Sequence, residues 1–268
     1  MNSTFDILMI DDEQVIINAV VRICSVEHLK VDTAMDAGEA LDKAKKNSYH
    51  LIICDIMLPG LDGFQILEQL KPLGNSTAFI MTTGYTTVEN AVKSLSLGAI
   101  DFLHKPFTSD EFCCSIKRGF KYVNICENDA QKITQNEKNF RSYAQCPINC
   151  FRLGYGAWLT VEHTGSVVIG ATDFFLKTIE TVNSVFLWDN EQEILQGNQC
   201  AMISCDDGSQ HGILSPITGR IIEKNKRVES KASLIEKDPF SSGWLYRVLP
   251  TDLTYEMKYL VPGSSEKE

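Results

Sequence analysis

Apolar residues fall along the chain in short runs separated by helical spacing. Phe5–Ile10 is a largely apolar run, and Glu13–Val26 then sets Val15, Ile16, Ala19, Val20 and Ile23 on one helical face. A weaker strand pattern follows at Leu29–Ala34, and further apolar runs occur at Leu51–Cys54, Phe79–Thr82 and Ile100–Leu103. Helical patterns lie between these runs. Strand–helix alternation of this kind predicts an α/β doubly wound, five-stranded parallel sheet covered on both faces. Ligands of such sheets gather at the carboxyl ends of the strands.

The pattern changes after the fifth run. From Asp110 to Ala144 there is no proline and a single glycine, Gly119. Phe112, Ile116, Val123, Cys126, Ala130, Ile133 and Phe140 follow a four-three spacing, broken at Gly119 and Glu137, which predicts a long helix. Its stripe suits either self-association into a homodimer or packing on the chain's own domains. Beyond it the segments are short and punctuated by turns. Strands are predicted at Trp158–Glu162, Val167–Ile169, Val185–Trp188, Gln199–Ser204, Gly219–Glu223 and Trp244–Val248, with one short helix over Thr172–Thr181. Three segments result: 1–125 α/β, 126–150 a helical linker, and 151–268 all-β-rich.

Composition narrows the function classes. The formal charge is −10, split as 11 Lys/Arg against 16 Asp/Glu in residues 1–125 and 14 against 19 in the rest. Neither part has the basic excess that a phosphate backbone requires, so no nucleic acid is expected as partner. No apolar stretch is long enough to span a bilayer, and Met1–Asp6 has neither the basic start nor the apolar run of a signal peptide. Nine cysteines, several inside apolar patterns, suit buried free thiols in a reducing cytoplasm. Cys146 and Cys150 are four apart, a spacing without the paired motif of a zinc site, although metal binding or redox chemistry stays open for them.

The chemistry gathers at the ends of the first five runs. Asp11 and Asp12 follow the first, Asp55 ends the third, Thr83 the fourth, and Lys105 the fifth. One such acid alone is commonly a solvated loop carboxylate. Three converging on one crevice repel one another unless a cation sits among them. Hard oxygen ligands with open positions suit Mg²⁺, and a hydroxyl with an ammonium remains to hold phosphoryl oxygens. This is equipment for phosphoryl transfer by positioning and charge neutralisation.

Ile10-Asp11-Asp12-Glu13, Asp55-Ile56-Met57-Leu58-Pro59-Gly60-Leu61-Asp62-Gly63, Met81-Thr82-Thr83-Gly84-Tyr85 and Lys105-Pro106-Phe107 together carry a resemblance. The segment 5–125 resembles a response-regulator receiver domain. The resemblance implies Asp55 as phospho-acceptor, with Asp12 and the Met57 carbonyl on Mg²⁺ and Asp11 mostly through water. It implies Thr83 and Lys105 on the phosphoryl oxygens, with Thr82 as the rival hydroxyl, and Phe102 as the aromatic that repacks when Thr83 moves. A histidine kinase or phosphotransfer protein would be the donor. The position two after the acceptor, Met57, and the bulky Tyr85 offer no group to orient water, which predicts slow hydrolysis.

The second part resembles the H protein of the glycine cleavage system, a lipoyl carrier of hammerhead fold, through Trp158, Ile169-Gly170-Ala171-Thr172-Asp173 and Asp238-Pro239-Phe240-Ser241-Ser242-Gly243-Trp244-Leu245. That family carries its lipoyl lysine eight residues before the proline of an Ala-Pro-x-Ser/Thr-Gly turn. Here the turn is Ser215-Pro216-Ile217-Thr218-Gly219, and Gly208 stands at the lysine's place, with no lysine between Thr178 and Glu223. No lipoate is expected. Asp207-Gly208 predicts a tight hairpin turn, with His211 read as a solvated neighbour of acids. The expectation is a cytoplasmic two-component regulator, not an enzyme beyond its own phosphorylation and dephosphorylation, whose output domain binds an unidentified protein partner. The rivals are a phosphorylation-gated metabolic carrier, for which Lys177, Lys224 and Lys226 are the nearest lysines, and a decoy for lipoate-handling enzymes.

Overall fold

Burial on both faces dictates the first sheet, whose central strands are apolar through their middles at Ile7–Ile10, Leu51–Cys54 and Phe79–Met81. In the computed structural model, residues 4–71, 77–84, 88–134 and 141–263 are described. The strands are β1 (Thr4–Ile10), β2 (Val31–Ala34), β3 (Ser48–Asp55), β4 (Ala78–Thr83) and β5 (Asp101–His104). They form one parallel sheet in the order β2-β1-β3-β4-β5. Helices α1 (Gln14–Val26), α2 (Ala37–Lys46), α3 (Gly63–Leu70), α4 (Val88–Ser96) and α5 (Ser109–Thr134) follow the strands in turn. Ile7, Met9, Leu51 and Ile53 point into one core, with Ile17, Phe112 and Ile116. Leu8, Ile10, Ile52 and Cys54 point into the other, with Phe64 and Leu67. This alternation about a doubly covered sheet explains why the strands read as unbroken apolar runs.

Local signals place the helices. Asp62 caps α3 through a reciprocal pair: its carboxylate accepts from the Gln65 N–H, and the Gln65 side chain accepts from the Asp62 N–H. Gly63 opens that helix where a Cβ would lie 2.3 Å from the Asp55 carbonyl oxygen, so only glycine lets α3 start so close to the third strand's end. The helix expected from Asp110 to Ala144 is described to Thr134. Residues 141–149 have no regular structure, and the Ala144 N–H donates to the Asp173 carboxylate instead of continuing a helix. Phe140 and Glu137 lie outside the described residues.

By contact the chain divides into two compact units, residues 1–86 with 97–140, and 87–96 with 141–268. Helix α4 therefore groups with the second unit, and Val92 and Leu95 belong to that unit's core.

The second unit is antiparallel and β-rich. Its strands are β6 (Cys150–Leu153), β7 (Ala157–Val161), β8 (Val167–Ala171), β9 (Val182–Leu187), β10 (Glu193–Ile194), β11 (Gln199–Cys205), β12 (Gln210–Leu214), β13 (Gly219–Lys224), β14 (Tyr246–Pro250) and β15 (Val261–Pro262). Seven pair in the order β10-β13-β14-β8-β7-β6-β15, and three as β12-β11-β9. Helix α6 (Asp173–Thr178) is capped by Thr172, whose Oγ1 accepts from the Phe175 N–H at 3.1 Å. Trp158, almost fully buried, pairs with Gly170 across β7 and β8, and a Cβ at Gly170 would strike the indole at 2.7 Å. The glycine of Ile169-Gly170 is thus the seat of the tryptophan ring.

Candidate functional site

In a 2-1-3-4-5 sheet the connections reverse direction between β1 and β3, and the crevice opens above their carboxyl ends. The acids stand there. Asp11 and Asp55 are buried and Asp12 is exposed, and one carboxylate oxygen from each lies within 4.8 Å of the others. Backbone groups fix two of them. The Glu13 N–H donates to Asp11 Oδ1 at 3.0 Å, and the Met57 N–H donates to Asp55 Oδ1 at 3.1 Å.

Lys105 binds this cluster together. Its Nζ donates to Asp55 Oδ2 at 2.7 Å, lies 2.7 Å from Asp11 Oδ2, and reaches Glu13 Oε1 at 3.4 Å. Burial opposes its charge, but the contacts with Asp11 and Asp55 outweigh that and hold the ammonium above the ordinary lysine range. Burial also pushes the Asp11 carboxyl up, against the lowering effect of Lys105 and the Glu13 N–H. A buried acid so raised lowers its cost by taking on positive charge, and the three hard oxygens at this spacing fit a small divalent ion that keeps waters.

Thr82 and Thr83 are both fully buried at the end of β4. Burial cannot rank them, because a strand covered on both faces hides both parities. Their carbonyls have different partners: the Thr82 carbonyl accepts from the Ile56 N–H and the Thr83 carbonyl from the Lys105 N–H, each at 2.9 Å. Phe102, on β5, is half-buried against the core that holds Phe64. Met57 is 54% exposed, leaving its side chain beside the crevice and unable to donate or accept strongly. Tyr85 lies outside the described residues.

The second unit places Gly208 at the tip of the β11–β12 hairpin. The Gly208 N–H donates to the Cys205 carbonyl at 3.0 Å and the Cys205 N–H to the Ser209 carbonyl at 2.9 Å. Gly208 has φ +82° while Asp207 keeps a negative φ, so the turn is an ordinary turn closed by a left-handed glycine rather than a two-residue turn on Asp207-Gly208. His211 departs from the expectation of a solvated side chain. It is 6% exposed, its Nε2 is 3.0 Å from Ser209 Oγ, and its ring meets Phe175 edge-on, because Ile203↔His211 register turns it to the core face. The lysines nearest the hairpin in sequence are elsewhere: Lys177 lies in the last turn of α6, and Lys224 ends β13 in ion pairs with Asp189 (2.9 Å) and Glu229 (3.3 Å).

All nine cysteines are free thiols. Cys146 and Cys150 are buried beside Trp158. The Cys150 thiol is lowered to about 7, chiefly by a hydrogen bond with Cys146, and its Sγ is 3.0 Å from Thr160 Oγ1. Among the described residues neither joins a third metal-ligating side chain.

Comparison with known proteins follows the same division. Residues 7–117 match the family described as Response regulator receiver domain, and residues 152–268 match Glycine cleavage H-protein. The chain joins a response regulator receiver domain to a glycine cleavage H-protein domain. Among curated relatives, the response regulator protein TodT of Pseudomonas putida is 25% identical over 139 residues, which is 52% of this chain and 61% of that protein. The chain thus spans less than two thirds of that relative's length. Among solved structures, a receiver domain protein from Methanospirillum hungatei is 33% identical, covers 46% of this chain and 98% of its own, and has a TM-score of 0.43. A glycine cleavage system H protein from Mycobacterium marinum is 22% identical, covers 45% of this chain and 94% of its own, and has a TM-score of 0.40.

Sequence reading missed β6, β10, β12 and β15, and the helices Lys226–Ser230, Ser233–Lys237 and Leu253–Glu256. The signal for β12 was available in principle, since a hairpin turn at Gly208 requires a returning strand.

Proposed function

We propose that the chain is a two-component response regulator that takes a phosphoryl group on Asp55 and signals through an H-protein-like domain that carries no lipoyl arm. The observation that supports this most strongly is the cluster itself: Asp11, Asp12 and Asp55 within 4.8 Å, with Lys105 Nζ 2.7 Å from both buried acids. In this reading Asp12, Asp55, the Met57 carbonyl and, through water, Asp11 hold Mg²⁺, which would neutralise the charge gathered around the phosphoryl group. Asp55 Oδ attacks phosphorus as the bond from the donor's phosphohistidine nitrogen, or from a small acyl phosphate, breaks. Lys105 and Thr83 hold the phosphoryl oxygens, and Phe102 follows Thr83. The domains are assigned as 1–125 receiver, 126–150 linker and 151–268 output, in a cytoplasmic protein with no nucleic-acid or membrane partner. The donor is a histidine kinase or phosphotransfer protein, and the protein has no other catalytic role. Acetyl phosphate with Mg²⁺ tests the reading, which requires one base-labile phosphoryl group per chain.

Two further expectations belong to this reading. Met57→Asn and Met57→Glu bring a polar group to an exposed position beside the acceptor, where it can orient a hydrolytic water. Both should shorten the life of the phosphorylated form by several-fold, read as loss of acid-stable label over time. Unchanged decay in both variants removes this account of timing. Ile133 is 40% exposed near the end of α5, on the stripe read as a dimer seam. If that seam pairs two copies, Ile133→Glu should convert dimer to monomer in sedimentation. A wild type that is monomeric with and without a phosphoryl analogue rules the seam out.

A further inference from the structure

Two of the nine cysteines are arranged for chemistry that burial denies to others. Burial pushes the Cys24 and Cys200 thiols up to about 12 and raises Cys54 and Cys205 as well, so these stay protonated. Cys150 goes the other way, because the Cys146 thiol and the Thr160 hydroxyl hydrogen-bond to its sulfur. The fold makes these contacts in two steps. The Cys150↔Thr160 pairing of β6 with β7 sets Thr160 Oγ1 3.0 Å from Cys150 Sγ. A turn closed by the Cys150 N–H on the Pro147 carbonyl, at 2.9 Å, then returns Cys146 to Cys150. Gly263 gives that turn its room, since a Cβ there would lie 2.6 Å from the Pro147 carbonyl oxygen and 3.0 Å from Cys146 Cβ. The preceding residues are tied down as well: the Ala144 N–H donates to the Asp173 carboxylate at 2.6 Å, and Tyr143 meets Phe174 edge-on at 4.6 Å. The two sulfurs are therefore held in contact before any reaction.

Access and ligand count choose the reagent. Cys146 and Cys150 are 6% and 3% exposed, and they flank a turn whose middle residues, Ile148 and Asn149, are exposed. Sulfurs so covered are out of reach of a disulfide on another protein, whereas a hydroperoxide is small enough to approach them. A structural zinc ion needs four ligands, and among the described residues no third metal-ligating side chain joins the pair. Two thiols in contact, one of them readily ionised, are instead equipped to close on each other.

We propose that Cys146 and Cys150 form a redox modification site that a hydroperoxide converts to an intrachain disulfide. With hydrogen peroxide, the Cys150 thiolate attacks one oxygen, the O–O bond breaks, hydroxide leaves and Cys150 carries a sulfenic acid. The Cys146 sulfur then attacks the Cys150 sulfur, the S–O bond breaks and a second hydroxide leaves. The two thiol protons convert both hydroxides to water, so two thiols and one peroxide become one disulfide and two waters. The new bond staples the irregular segment 141–149, through which the chain enters the second unit, to β6 of that unit's sheet.

The test exposes the reduced full chain to stoichiometric hydrogen peroxide, alkylates the remaining thiols and digests with trypsin. Cleavage after Arg141 and Arg152 releases residues 142–152, which contain Cys146 and Cys150 and no other cysteine. That peptide should lose two hydrogens and escape alkylation roughly tenfold faster than any other cysteine reacts, and a small dithiol should restore it. Cys146→Ser should stop at a Cys150 sulfenic acid, captured by dimedone, and Cys150→Ser should leave Cys146 no more reactive than Cys200. Amide exchange over residues 142–149 should slow in the oxidised wild type. The proposal fails if the peptide stays reduced while other thiols react, if Cys150 passes to sulfinic acid without a disulfide, if either cysteine pairs with a third, or if exchange is unchanged by the disulfide. A stoichiometric metal ion in the purified protein, released on alkylation of the pair, would also overturn it. The wild-type reaction needs no variant, so a serine variant that fails to fold leaves the test intact. None of these readouts involves Asp55, so failure of its labelling would sink the regulator reading separately.

Discussion

Asp55→Asn should abolish phosphoryl incorporation from acetyl phosphate, while the wild type gains one group per chain. The substitution is nearly isosteric, and the side-chain oxygen that accepts the Met57 N–H can still do so. Lys105 keeps its contact with Asp11 after the charge on residue 55 is removed, so it is not stranded. Removing one of three close carboxylates also relieves their mutual repulsion. The fold should therefore survive, and lost labelling reports chemistry rather than unfolding. A circular-dichroism spectrum and melting curve close to wild type provide the control. Equal labelling of the two proteins would mean that another group is the acceptor.

The second large effect concerns the hairpin tip. Co-expressed with a lipoate ligase and excess lipoate, the protein should show an intact mass without a lipoyl adduct. A ligase needs an ε-amine at the apex of an exposed hairpin, and the apex here is Gly208. Lys224 is 15% exposed and held by two carboxylates, and Lys177 lies on a helix. Gly208→Lys should then create a modifiable site. No atom lies within 4 Å of where its Cβ would stand, so space is available. The cost is conformational: φ +82° is left-handed, which a non-glycine residue adopts at about 1–2 kcal/mol. That is tolerable at a hairpin tip. An adduct on any native lysine of residues 151–268 would favour the metabolic-carrier reading instead.

How much of this was legible depended on whether a residue's role follows from its neighbours in sequence or from its register. The runs that became β1, β3 and β4 are plain because a central parallel strand hides both faces, and only Asp6, near the start of β1, breaks the apolar signal before the strand ends. Asp11, Asp55 and Lys105 could be placed at one crevice because each ends such a run. Their contacts through Lys105 Nζ required the fold. His211 is core-facing because its face is set by pairing with Ile203, whereas its acidic neighbours Asp206 and Asp207 in the sequence point to a solvated side chain. β15 is two residues long and pairs only with the distant β6, and β6, although it pairs locally with β7, is a four-residue strand interrupted by Arg152, so neither carries a clear pattern. Thr82 and Thr83 are equally buried, so the preference for Thr83 rests on the resemblance, in which a small residue, here Gly84, follows the hydroxyl.

The central claim is that the state of Asp55 reaches the output domain. Hydrogen exchange on the full chain, compared with and without beryllofluoride and Mg²⁺ and repeated on Asp55→Asn, tests it most directly. Amide protection should change within residues 151–268 as well as around Asp55, Thr83 and Lys105, and the Asp55→Asn variant should show neither change. Protection changes confined to residues 1–125 would contradict the account.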